Sequence, residues 1–248
     1  MSSTKLAPVL ILGANSDIGR AIAHAFAEKG YPLQLAARNV ERLVNDVSDY
    51  AIRYGVEALL YEFDARNWQI HQAFYDSLDP KPGIVICVFG FYPDQERAEV
   101  EPELLRETLE TNFLGAVSIL QISANYMQDR GEGTLVGISS VAGDRGRAKN
   151  YIYGSAKAGF SAFLSGLRNR LHNSEVHVLT VKPGFVYTAM TEGMDLPPSL
   201  TAKPEQVAKD VFRAVKKKKN VLYSRWMWRY IMLIIKNIPE VIFKRLDL

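Results

Sequence analysis

Short unbroken apolar runs alternate along this chain with longer stretches whose apolar residues recur every three to four positions. "PVLILG" is the first run. "DIGRAIAHAFAEKG" follows it, with Ile18, Ile22, Ala25 and Phe26 at helical spacing and Gly30 as a stop. The same alternation gives strands in "YPLQLAARN", "VEALLYEFDA", "GIVICVFG", "GTLVGISSVAG" and "VHVLTVKPGFVYTAM". The intervening helices are "VERLVNDVSDYAIRYG", "NWQIHQAFYDSL", the long "PELLRETLETNFLGAVSILQISANYMQ" and "NYIYGSAKAGFSAFLSGLRNRL". Apolar runs without polar alternation are the mark of parallel strands buried on both faces. The pattern predicts an α/β fold: a single-domain, doubly wound parallel sheet flanked by helices.

Length and composition agree with this. The chain has 248 residues, 48% hydrophobic and 23% charged, with a net charge of +3. That charge is too small to imply nucleic-acid binding. The single cysteine, Cys87, lies in an apolar run and reads as core; His24, His71, His172 and His177 have no metal-ligand spacing, so no metal is expected. "LAPVLILGANSD" is short, has no cleavage site and leads into a glycine turn, so it is not read as a signal peptide. A cytoplasmic protein is expected.

The turn "LGANSDIG" joins the first strand to the first helix. Gly13 allows the sharp turn, Gly19 allows close packing, and the N–H groups of Asn15, Ser16, Asp17 and Ile18 stand where a helix start receives a pyrophosphate. This is a Rossmann-like signature; the alternative is an ordinary turn capped by Asn15, Ser16 or Asp17. Arg38 and Asn39 end the second strand, where an acid would accept ribose hydroxyls and an arginine suits a 2′-phosphate. That favours NADP(H) and leaves NAD(H) open. Asp64 and Ala65 end the third strand. Asp64 can accept the adenine amino group, cap the following helix, or do both.

Ser139 and Ser140 end the fifth strand, where open parallel sheets bind ligands. Tyr153 and Lys157 are four residues apart and share a helix face. A nearby ammonium favours a phenolate, lowering the tyrosine from its ordinary pKa of about 10. Asn112, inside the long helix, is either a hydrogen-bonded core amide or a water-holding group.

The glycine turn, Asn112, Ser140, Tyr153, Lys157 and the Pro183-Gly184 turn stand in the order of the short-chain dehydrogenase/reductase family, which the chain resembles over nearly its whole length. The resemblance implies a catalytic tetrad of Asn112, Ser140, Tyr153 and Lys157, with Asn112 holding a relay water and Lys157 also binding the nicotinamide ribose. Ser140, thirteen positions before Tyr153, is favoured over Ser139. "PGFVYT" resembles the nicotinamide clamp, with Val186 and Thr188 as contacts. Two departures stand out. Asp17 replaces a glycine, and "CVFG" replaces the usual Asn-Asn-Ala-Gly, keeping only Gly90 as a cofactor contact.

The resemblance implies an NADPH-dependent carbonyl reductase forming a homodimer or homotetramer, with dimerisation through the long central helices. "ILGANSDIGRAIA", "VFG", "SSVAGDRGRAKNYIYGSAKAG" and the tail further resemble the branch that reduces a 2-keto sugar on a polyprenyl phosphate. In that reading Arg145 and Arg147 of "GDRGR" meet a phosphate or sugar; otherwise they belong to a solvated loop. Two alternatives stand beside it: a reductase of soluble acyl, steroid or aldehyde carbonyls, and a nucleotide-bound sensor or scaffold without turnover.

"TEGMDLPPSLTAKPEQ" reads as a mobile lid and "PEQVAKDVFRAVKKKK" as a helix with Pro204 at its first position and Lys216 to Lys219 as a solvated end. The domain is expected over 1–222, with a helical extension over 223–248. No acid occurs between Asp210 and Glu240. Arg225, Arg229 and Lys236 form a basic stripe on an otherwise apolar helix that Pro239 ends or kinks. Such a helix lies in a membrane interface at the inner face, or packs against the domain or a second subunit.

Overall fold

The computed structural model describes residues 6–246; the ends of the two expected segments, 1–5 and 247–248, lie outside it. Seven strands form one parallel sheet: β1 (Val9–Leu12), β2 (Leu33–Ala37), β3 (Ala58–Glu62), β4 (Ile84–Cys87), β5 (Glu132–Ile138), β6 (Glu175–Pro183) and β7 (Val221–Ser224). Their order is β3-β2-β1-β4-β5-β6-β7. Val9 of β1 stands beside Leu33 of β2 and Ile84 of β4. The order reverses between β1 and β4, and a crevice opens there beyond the strand C-termini.

Helices cover both faces. α1 (Asp17–Ala27), α2 (Val44–Tyr54) and α8 (Pro204–Lys216) bury Phe26, Tyr50 and Val211 on one side. α3 (His71–Ser77), α6 (Ala116–Arg130) and α7 (Tyr151–Arg170) bury Tyr75, Leu120 and Leu164 on the other. Burying side chains of this size contributes about 1.5–3 kcal/mol each. Cys87 is core, as read from the sequence.

The structure departs from the pattern in four places. The long helix is three pieces: α5 (Pro102–Leu109), a π-helical turn (Glu110–Gly115) and α6. A short helix, α4 (Gln95–Val100), precedes them, capped by Asp94. α3 begins later than expected, so Asp64 does not cap it; its carboxylate accepts from Arg66 N–H at 3.0 Å. Finally, β7 crosses position 222 and pairs with β6, so the tail hangs from a sheet edge.

The tail is α9 (Met227–Asn237) and α10 (Glu240–Phe243), separated at Pro239. Arg225 is not on α9. It sits in the turn before it, with φ 57°, and donates to Thr201 O at 2.6 Å. Trp228 and Met232 are buried against Val141, with Phe185, Leu200 and Tyr223 around them. Among the described residues no helix is long and apolar enough to cross a membrane.

Candidate active site

The first turn of α1 opens on the crevice. Gly13 has φ +96°, and a Cβ there would lie 2.6 Å from Phe89 N, so only glycine fits. Ser16 caps α1, accepting from Gly19 N–H at 3.1 Å. Asn15 donates to Arg38 O and Asn39 O, at 2.7 and 3.1 Å, tying the glycine turn to the end of β2; its Oδ1 is buried without a partner. Asp17, which stands where the family has a glycine, turns its carboxylate away and accepts from Ala189 N–H at 2.8 Å. Ile18 lines the neighbouring cleft instead.

One cavity runs from Gly13, Asn15 and Ser16 past Arg38, Asn39, Asp64 and Ala65 to Gly90. Arg42 also lines it, a second cation that the sequence reading passed over as an ordinary helix residue. The glycine cradle, the helix N-terminus, the unpartnered Asn15 Oδ1 and two arginines fit a dinucleotide.

A second cleft opens beyond β4, β5 and β6, lined by Ser140, Tyr153, Lys157, Pro183, Gly184, Val186 and Thr188. Ser139 and Ser140 separate cleanly. Ser139 is buried and donates to Lys157 O at 3.0 Å, with Ser161 Oγ at 2.7 Å. Ser140 accepts from Ala142 N–H at 3.1 Å, which fixes its oxygen and leaves its proton to be donated.

Lys157 is buried, with Nζ donating to Ile138 O at 3.1 Å and lying 5.7 Å from the centre of the Tyr153 ring. Desolvation pushes its pKa down to about 8. For Tyr153 the expected lowering does not appear. Desolvation pushes the phenol above its ordinary range, opposed by its hydrogen bond with Ser140. The proton therefore stays on Tyr153 at neutral pH.

Asn112 lies in the π-helical turn. Its Nδ2 donates to Phe91 O and Thr108 O at 2.6 and 2.9 Å, and its Oδ1 accepts from Phe91 N–H at 3.1 Å. Both amide protons are spent on backbone. The side chain clamps the loop after β4, as the hydrogen-bonded core amide of the two readings would. That loop brings Tyr92 into the cleft, its ring centre 4.8 Å from that of Tyr153; no motif had marked it.

The two arginines of the 143–147 loop part company. Arg145 does not reach the cleft. Its guanidinium donates to Ile235 O and Ile238 O, both at 2.6 Å, pairs with Glu240 at 2.8 Å and stacks on Phe243. Arg147 lines the cleft. Asp144 anchors the loop between them, accepting from Lys182 and from Tyr223 Oη.

Residues 7–197 match the family model described as short chain dehydrogenase. An uncharacterised oxidoreductase of Mycobacterium tuberculosis is 36% identical over 249 residues, covering 99% of each chain. One from Streptomyces coelicolor is 34% identical over 244 residues, covering 96% of this chain and 95% of the relative. A Sphingobium yanoikuyae short-chain dehydrogenase, solved in complex with NADPH, superposes with a TM-score of 0.82 at 22% identity, covering 95% of this chain and 97% of that one.

Proposed function

The chain belongs to the short-chain dehydrogenase family, and from that premise we propose that it is an NADPH-dependent carbonyl reductase. One observation carries the reading: Ser140, Tyr153 and Lys157 meet on the wall of one cleft, continuous through Gly90 with the dinucleotide cavity. A phenol, a hydroxyl and a buried lysine gathered beside a dinucleotide cavity have no use in a sensor or scaffold.

Gly13, Ser16, Arg38, Asn39, Arg42 and Asp64 hold the cofactor's adenosine half; Lys157, Val186 and Thr188 hold its nicotinamide half. When bound, the cofactor supplies the hydride. Ser140 donates a hydrogen bond to the substrate carbonyl oxygen, Tyr153 gives that oxygen its proton, and Lys157 orients the ribose. Asn112 is a positioning residue for the loop from Gly90 to Tyr92. The two arginines in the adenosine cavity support NADP(H) over NAD(H).

The finer reading is a substrate carried on a lipid phosphate, such as a keto sugar on a polyprenyl phosphate, reduced at a membrane surface. α9 turns Trp228 and Met232 toward the cleft and leaves Trp226, Tyr230, Leu233 and Ile234 exposed, beside Arg229 and Lys236. An apolar face rimmed with cations suits an anionic bilayer interface. Dimerisation through the central helices belongs to the same reading.

NADPH oxidation measured against a polyprenyl-phosphoryl keto sugar beside soluble ketones, ketosteroids and 3-ketoacyl thioesters tests both levels. Turnover of the lipid-linked ketone far above the others is expected. A preference for soluble ketones would reject the finer reading, and no turnover at all would reject the reductase.

A further inference from the structure

We propose that Arg147 is the substrate's anion anchor, so that the ketone this protein reduces carries a phosphate or carboxylate near its carbonyl. The inference rests on the reductase reading and specifies what the cleft recognises.

Arg147 lies in the wall that holds Tyr153, Ser140 and Tyr92. Among the described residues its guanidinium makes no hydrogen bond or ion pair, and its Nε is buried without a partner. Burial holds its pKa below the usual guanidinium range, and no carboxylate pulls it back. The nearby acids are engaged elsewhere: Asp144 with Lys182 and Tyr223, Glu240 with Arg145.

Among the described residues no aspartate or glutamate lines the cleft, and its cations are Lys157 and Arg147. A half-buried guanidinium without a counter-charge costs free energy. The cost is offset when a ligand brings the anion, because charge-assisted bonds in a partly dry site are strong. Arg147 is absent from the adenosine-side cavity, so that anion is not the cofactor's 2′-phosphate. Phe185, Met190 and Met194 give the same cleft an apolar side. A cation and an apolar lining in one cleft suit an amphiphilic substrate.

Two measurements test this, one without turnover. With saturating NADP+ filling the cofactor site, millimolar inorganic phosphate should raise the melting temperature of the wild-type protein. The rise should be lost in Arg147→Gln and partly restored in Arg147→Lys. Equal rises in wild type and Arg147→Gln would overturn the proposal.

In the second, each phosphorylated ketone is paired with its unphosphorylated form, and each 2-keto acid with its methyl ester. The anionic-over-neutral preference in kcat/KM should fall by about 100-fold in Arg147→Gln. An unchanged preference would also overturn it. A preference confined to phosphates, carboxylates or lipid phosphodiesters identifies the source of the anion. A phosphate-dependent melting shift without NADPH oxidation by any ketone would reject the reductase and leave the anion site standing.

Discussion

Trp228 lies flat against the backbone of Gly184: a Cβ on that glycine would sit 1.9 Å from the indole ring. The indole N–H donates to Leu200 O at 3.2 Å, and the ring meets Phe185 edge-on. The tail thus closes onto the Pro-Gly turn that forms one wall of the cleft. Gly184→Ala is expected to push α9 away and cost about 1–3 kcal/mol in urea unfolding. In a Trp228→Ala background the same change should cost much less. Additive losses would show that the two positions do not share this contact.

Arg145 holds the far end of α9 through two carbonyls, Ile235 O in the last turn, which also accepts from Ile238 N–H, and Ile238 O just past the helix. Arg145→Ala should destabilise the tail by about 1–3 kcal/mol, read as faster amide exchange in α9 with β1 and β4 unchanged. Uniform exchange across the sheet would contradict a local role.

Lys157 has a sign that can be worked out. Its folded-state pKa, about 8, lies below the ordinary lysine value of 10.5. Below pH 8 the folded protein therefore carries the full cost of a buried ammonium, and stability from this group rises as pH climbs from about 8 to 10.5. Lys157→Met should be more stable than wild type by about 1–2 kcal/mol at pH 7, a gap that narrows above pH 8. Activity should run the other way, falling as pH rises through about 8 while the ammonium is lost. A flat profile from pH 7 to 9.5 would contradict the assignment.

The exposed face of α9 predicts a salt-sensitive attachment to anionic vesicles. Wild-type protein should sediment with phosphatidylglycerol vesicles at low salt, with a blue shift in tryptophan emission. Leu233→Glu with Ile234→Glu should weaken this by more than about tenfold, since each side chain offers about 1.5–3 kcal/mol of burial. Protein that stays in solution as a stable oligomer covering α9 would assign the face to a second copy instead.

Much of the site was legible because the chemistry needs fixed spacings. Ser140, Tyr153 and Lys157 are set by one strand end and one helix face, and glycine turns announce themselves by composition. What was not legible depends on partners distant in sequence. The spacing placed Arg145 and Arg147 together; only the fold of the tail shows that α9 takes Arg145 and the cleft keeps Arg147. β7 is four residues long and follows a lysine run, too short for its pattern to register. Tyr153 was expected to have a lowered pKa because spacing reveals the neighbouring ammonium, whereas desolvation is set by the whole surrounding shell.

The most direct measurement is a comparison of Tyr153→Phe with wild type in two assays on the same preparation. NADPH affinity comes from fluorescence titration, and single-turnover reduction from NADPH absorbance with an accepted ketone. The account predicts NADPH affinity within about threefold of wild type, and reduction slower by about 10²–10⁴-fold, as expected when a general acid is removed. Reduction by Tyr153→Phe within a few fold of wild type would contradict it.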